Sequence, residues 1–290
     1  MWVFYPLSFL GFNFALIVFT LINATALLYF AKVVFEAFFK GAQPEWLSQG
    51  RLTLLLFSFV PFLKCILFAQ TLWLPLLGIA LAVKYFNHSR LLAGCCLSFS
   101  TIKPHLFLPL YAFILVVTFI KREPKLGAGF TLGLIYQSLF FFFVNDNGHK
   151  ISESYLTSNP HGLSQGVIFT AALLDFISNC VQLSWVKYLG VIPALLLGVY
   201  LTIREEDHKR LIFLKLLPLG VLLTPYAWLH DFLPLFPLMV MLVTLSSPKE
   251  LSVICTWSII NLVMATLILF NLEAWSWVIY LFYLFLVKMR

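Results

Sequence analysis

Residues 89–122, SRLLAGCCLSFSTIKPHLFLPLYAFILVVTFIKR, decide how this chain folds. One lysine, Lys103, stands near the middle of a long apolar run, and Pro104 and His105 follow it directly. As one straight helix, residues 91–120 would measure about 45 Å at the α-helical rise. The hydrocarbon core of a bilayer is only about 30 Å thick. Pro104 has no N–H to donate and disfavours helical geometry at Lys103. The run therefore reads as two short helices meeting at Lys103. Arg90 flanks one end and Lys121 and Arg122 the other, and basic flanks favour the cytoplasm. Two ends on one side make a hairpin, with Lys103 at its tip towards the opposite face. A lysine at that depth marks a functional site, or it snorkels to headgroups from a helix end. The proline break also frees carbonyls that lipid cannot satisfy. On this reading, Lys103→Met removes an insertion penalty of about 3 kcal/mol and is expected to fold at least as well as the parent.

The rest of the chain agrees in kind. It has 290 residues, of which 61% are hydrophobic and 11% charged, with a mean hydropathy of +0.96. This composition excludes a soluble fold and gives an all-α, polytopic integral membrane helical bundle. The net charge of +7 then reports topology and anionic headgroups rather than nucleic acid. Five cysteines, Cys65, Cys95, Cys96, Cys180 and Cys255, show no paired spacing; four lie in apolar runs and read as small core residues. No metal-ligand spacing, glycine-rich phosphate loop or nucleophile triad is present, so neither a metal nor a cofactor is expected.

The length argument repeats. Residues 52–83, between Arg51 and Lys84, predict a second hairpin with its tip near Lys64–Gln70. Residues 211–245, between Arg210 and Lys249, predict a third around TPYAWLHD, residues 224–231. Single spans are expected over 7–31, 126–144, 184–203, 251–270 and 275–287. Together these give about eleven membrane segments in one transmembrane domain over 1–290. The positive-inside rule puts the N-terminus outside and the C-terminus in the cytoplasm of a plasma membrane, leaving Lys64, Lys103, Lys150 and Lys187 towards the far face. Residues 145–183 form an extracytoplasmic loop. Near-helical apolar spacing over 167–177 predicts a short amphipathic helix on the membrane surface, with Asp175 on its polar face.

Each hairpin arm has about 12–17 residues, roughly 18–25 Å, short of the core thickness. The three tips would then sit in a recess below the far surface. They carry Lys64, Gln70, Lys103, His105, His230 and Asp231. Such a recess, half apolar and half polar, suits a lipid-linked substrate whose headgroup meets lysine and histidine. Lysine binds phosphate as a point charge. Lys64 reads as a snorkelling side chain, and Gln70 as either a site residue or a hydrogen bonder between helices. His230–Asp231 reads as an acid/base pair, because a carboxylate can orient and charge a neighbouring imidazole, or as a solvated loop tip.

Three stretches carry a family resemblance: FAQTLWLPLLGIALA, RLLAGCCLSFSTIKPHLFLPLYAFILVV and LTPYAWLHDFLPLFPLMV. An Ala-Gly helix before Lys-Pro, and a Thr-Pro loop before a His-Asp pair, resemble glycosyltransferase family 87. These are polyprenol-phosphate-mannose-dependent enzymes of GT-C fold. Ala69 stands where the family tends to have glycine. The resemblance also implies an acidic catalytic residue in a first extracytoplasmic loop, and the chain is expected to begin beyond that loop. It implies a hexosyltransferase, with mannose passing from a polyprenyl-phosphate donor to a glycolipid or glycan acceptor. Lys103, His105 and Gln70 would meet the lipid phosphate, and Asp231 and His230 would serve catalysis. Two other classes stay open on the residues alone: a transporter or flippase of a lipid-linked sugar, and a non-catalytic subunit with a protein partner.

Overall fold

A computed structural model describes residues 10–40, 44–67, 72–144, 173–204, 209–225, 229–246 and 250–270, with Ala227, Leu272, Trp275, Trp277 and Val278. Every element among the described residues is helical. Helix α1 is Phe12–Val34, closed by a π turn at Phe35–Phe39; α2 is Gln49–Phe57, α3 is Val60–Leu67 and α4 is Trp73–Tyr85. Next come α5, Arg90–Leu97, and α6, Leu108–Leu115, joined by two 3-10 turns, Ser98–Ile102 and Pro104–Phe107. Helix α7 is Pro124–Val144, α8 is Leu173–Val181 and α9 is Val191–Arg204. Helix α10 is Lys209–Leu223; a 3-10 helix, Leu229–Leu235, leads into α11, Phe236–Ser246, and α12 is Glu250–Leu269. By length and composition, residues 186–204 and 250–269 each suffice to cross a membrane, as do α2 and α3 together. Their outer faces are apolar and exposed, for example Ile192, Leu196 and Ile203 on α9 and Leu251, Ile259 and Leu262 on α12. A membrane protein needs such a surface against lipid.

The central run does turn back at Lys103, whose backbone leaves the helix at φ −133° and ψ 71°. Its two ends return to one place. Arg90 forms an ion pair with Glu123, and a Cβ on Gly94 would lie 2.1 Å from the Leu126 carbonyl oxygen. The other chain ends gather there too. Lys84 pairs with Glu36 at 2.6 Å, and Arg51 with Glu250 at 3.1 Å. Phe213, near the start of α10, packs on Phe86 and Phe113. The bundle thus has two poles: one collects the basic chain ends and the other collects the turns. At the second pole a Cβ on Gly220 would stand 1.9 Å from the Leu106 carbonyl, and one on Gly190 would stand 2.2 Å from that of Leu223.

The second run differs from expectation. Its first arm bends by 72° between α2 and α3, well before Lys64, which lies inside α3 rather than at a tip. The cause is Pro61. Its ring opposes the carbonyl four residues back, at Phe57, and it cannot donate there. The α3 start is completed from far away: Asn261 Oδ1 accepts the Val60 N–H at 2.9 Å, and Trp257 Nε1 donates to Ser58 Oγ at 2.9 Å. Phe59, Phe236 and Trp257 pack ring against ring around this joint. The chain still returns: backbone N–H groups of Leu72 and Trp73 reach the Cys65 sulfur. Gln70 lies outside the described residues, as do Lys150, the start of the expected surface helix and nearly all of the 275–287 span. Helix α8 carries Asp175 in its first turn. The cysteines split: Cys65 and Cys96 are buried, whereas Cys255 faces outward and is not a core residue.

Candidate functional site

The pole of turns owes its shape to hydroxyls. Ser98, Ser100 and Thr101 each donate to the carbonyl three residues back, at 2.7 Å in every case. Hydroxyl bonding to nearby carbonyls competes with the α-helical ladder, and here it accompanies a 3-10 turn. A 3-10 turn rises about 2.0 Å per residue rather than 1.5 Å, so the five residues Ser98–Ile102 push Lys103 about 2.5 Å further out. The Lys103 N–H still bonds to the Ser100 carbonyl, at 3.2 Å.

Lys103 Nζ lies 2.5 Å from Asp231 Oδ1. The Asp231 side chain is 1% exposed and that of Lys103 17%. The two come from chain segments 128 positions apart. His230 Nε2 is 3.6 Å from the same carboxylate oxygen, and His105 stands within reach of the charges of both Asp231 and Lys103. His230 also feels Lys64, and α3 packs against the 3-10 helix that bears His230 and Asp231. Four of the five expected site residues therefore meet at one pole, and the fifth, Gln70, lies outside the described residues.

Two expectations change. The His230–Asp231 pair is buried, at 8% and 1% exposure, and is not a solvated loop tip. Lys103 is not a lone intramembrane cation but half of an ion pair, so removing it alone would strand a buried carboxylate. Among the described residues no cluster of histidine, cysteine, aspartate or glutamate could hold a metal ion.

Sequence reading missed the residues that hold the turn. Gln137 on α7 donates from Nε2 to Ser98 Oγ at 2.8 Å, and the Thr101 hydroxyl, whose one proton is shared with the Ser98 carbonyl, lies 3.3 Å from Gln137 Oε1. The signal was present as Gly129, Gly133 and Gln137 at four-residue spacing, a small-residue ridge that lets two helices approach closely. Asn261 and Trp257 were likewise visible as polar groups in an apolar run.

A comparison with curated proteins and with solved structures finds no match. The family model described as glycosyltransferase family 87 matches residues 1–229. That stretch includes Lys103 and His105 and stops just before His230 and Asp231. It covers well over half of a membrane chain whose turns bring lysine, carboxylate and histidine together, and the chain belongs to glycosyltransferase family 87.

Proposed function

We propose that this glycosyltransferase moves a hexose, mannose by preference, from a polyprenyl-phosphate donor to a glycolipid or glycan acceptor. The fold would be GT-C-like, with the pole of turns facing away from the cytoplasm and the pole of basic ends facing it. One observation carries the reading: Lys103, His105, His230 and Asp231, from separate segments, meet at one buried spot. A donor phosphodiester entering there competes with Asp231 for the Lys103 ammonium. The acceptor oxygen bonds to the anomeric carbon, and the bond from that carbon to the phosphate oxygen breaks. The lipid phosphate departs with the electron pair and gains negative charge. Lys103, fixed in a site of low dielectric, stabilises that growing charge better than water does. The acceptor proton passes to the His230–Asp231 pair, with His105 beside the phosphate.

The test is transfer from polyprenyl-phosphate-mannose by the full chain reconstituted in lipid. Lys103→Met with Asp231→Leu removes both charges together and avoids a stranded ion. Transfer should fall by about 10²-fold or more, as on loss of an oxyanion donor, while folded protein is recovered in normal amount. Parental turnover by the double variant would overturn the reading.

A further inference from the structure

We propose that Gln137 is a positioning residue that sets where Lys103 stands, an inference that takes its functional meaning from the reading above. Helices α5 and α7 run parallel, and their contacts climb both in step. A Cβ on Gly129 would lie 2.0 Å from the Leu91 carbonyl oxygen, and one on Gly133 would lie 2.2 Å from Ser98 Oγ. The next residue of that ridge is Gln137. Where the glycines admit the Leu91 backbone and the Ser98 side chain, Gln137 supplies an amide that touches the 3-10 turn at two points, Ser98 Oγ and Thr101 Oγ1. Between those points lies Ser100, whose carbonyl takes the Lys103 N–H and whose hydroxyl lies 3.5 Å from Tyr111 OH.

The chain of contacts is thus short: Gln137 to the Ser98 and Thr101 hydroxyls, to the Ser100 carbonyl, to the Lys103 backbone. A 3-10 turn holds poorer hydrogen bonds than an α-helix and seldom persists unaided. The two hydroxyls already donate to the Cys95 and Ser98 carbonyls, so the amide adds lateral restraint rather than replacing a missing partner. A lysine on a four-carbon stem is placed only as well as its backbone is placed. Gln137→Leu keeps a side chain of similar bulk and removes both contacts.

Two measurements test this. The first is kcat and KM for the donor with purified Gln137→Leu protein. A displaced charge should lower kcat about tenfold or more, since misplacement of about 1 Å can cost 10²-fold, with donor KM within about threefold of the parent and an unchanged unfolding temperature. The second does not need activity. In a cysteine-free background, Lys103→Cys with Asp231→Cys is treated with a short bis-thiol crosslinker, and Gln137→Leu should slow linkage about threefold or more, whereas Gln137→Glu, which keeps the acceptor for Thr101, should restore part of the rate. Unchanged crosslinking overturns the inference, whatever the turnover. Slower crosslinking with unchanged turnover supports the positioning and instead removes Lys103 from the proposed chemistry.

Discussion

Arg51–Glu250, Lys84–Glu36 and Arg90–Glu123, at the pole of basic ends, differ from Lys103–Asp231, at the pole of turns, less in geometry than in setting. Arg51–Glu250 is 45% and 42% exposed. Lys84–Glu36 and Arg90–Glu123 are also partly open. Lys103–Asp231 is nearly sealed. An exposed pair gains little, because water and salt already screen its charges. A sealed pair gains little net stability for the opposite reason: desolvation offsets the attraction. Its loss by halves is nevertheless severe, since the surviving charge has nowhere to go. A basic side chain paired with a carboxylate therefore hems the bundle edge at one pole and makes an obligate couple at the other. Such a couple suits a site where an incoming anion takes over one partner.

Single and double substitutions can break that contrast. Lys103→Met alone should destabilise the chain by roughly 3–5 kcal/mol, read as retained monomer after heating in detergent. This reverses the expectation drawn from insertion alone, which treated the lysine as unpaired. Adding Asp231→Leu should return stability to within about 1–2 kcal/mol of the parent, because an apolar pair can replace a buried ionic one. If the double variant is no more stable than the single, the coupling is not what holds the pole together.

A neutral buried contact should fall between the two settings. Asn261→Leu leaves the Val60 N–H at the α2–α3 bend without its acceptor, at about 1–3 kcal/mol. A loss as large as that of Lys103→Met would mean that burial rather than charge sets the scale. The smallest effect belongs to the exposed pole. Glu250→Gln should change stability by less than about 1 kcal/mol, and the difference should shrink further in high salt.

The break at Lys103 was legible because its cause is local: Pro104 acts on its own neighbours. The return of the chain was legible because basic residues flank both ends. That Lys103 and Asp231 share one recess was legible from the hairpin tips; that they pair directly was not, since no short-range pattern links positions 128 apart. The second hairpin was half read. Its polar residues drew attention to Lys64–Gln70, whereas the bend occurs at Ser58–Phe59, beside Pro61, and is completed by Asn261 and Trp257. Gln137 was readable in principle from the spacing Gly129, Gly133, Gln137. An amide continuing a glycine ridge declares its direction only once the partner helix is known.

The separation of Lys103 from Asp231 also has a consequence in time. A ribosome adds about 5–20 residues per second, so the carboxylate is made roughly 6–25 s after the ammonium that it will neutralise. Over that interval the nascent hairpin enters the membrane with its charge unmatched. The hydroxyl-laden turn at Ser98–Thr101 is translated just before Lys103, and the amide of Gln137 follows it by about 2–7 s. They give the early hairpin local polar contacts while its counter-ion is still unwritten. The late arrival of the 229–235 segment then closes the pole, making it among the last parts of the bundle to mature.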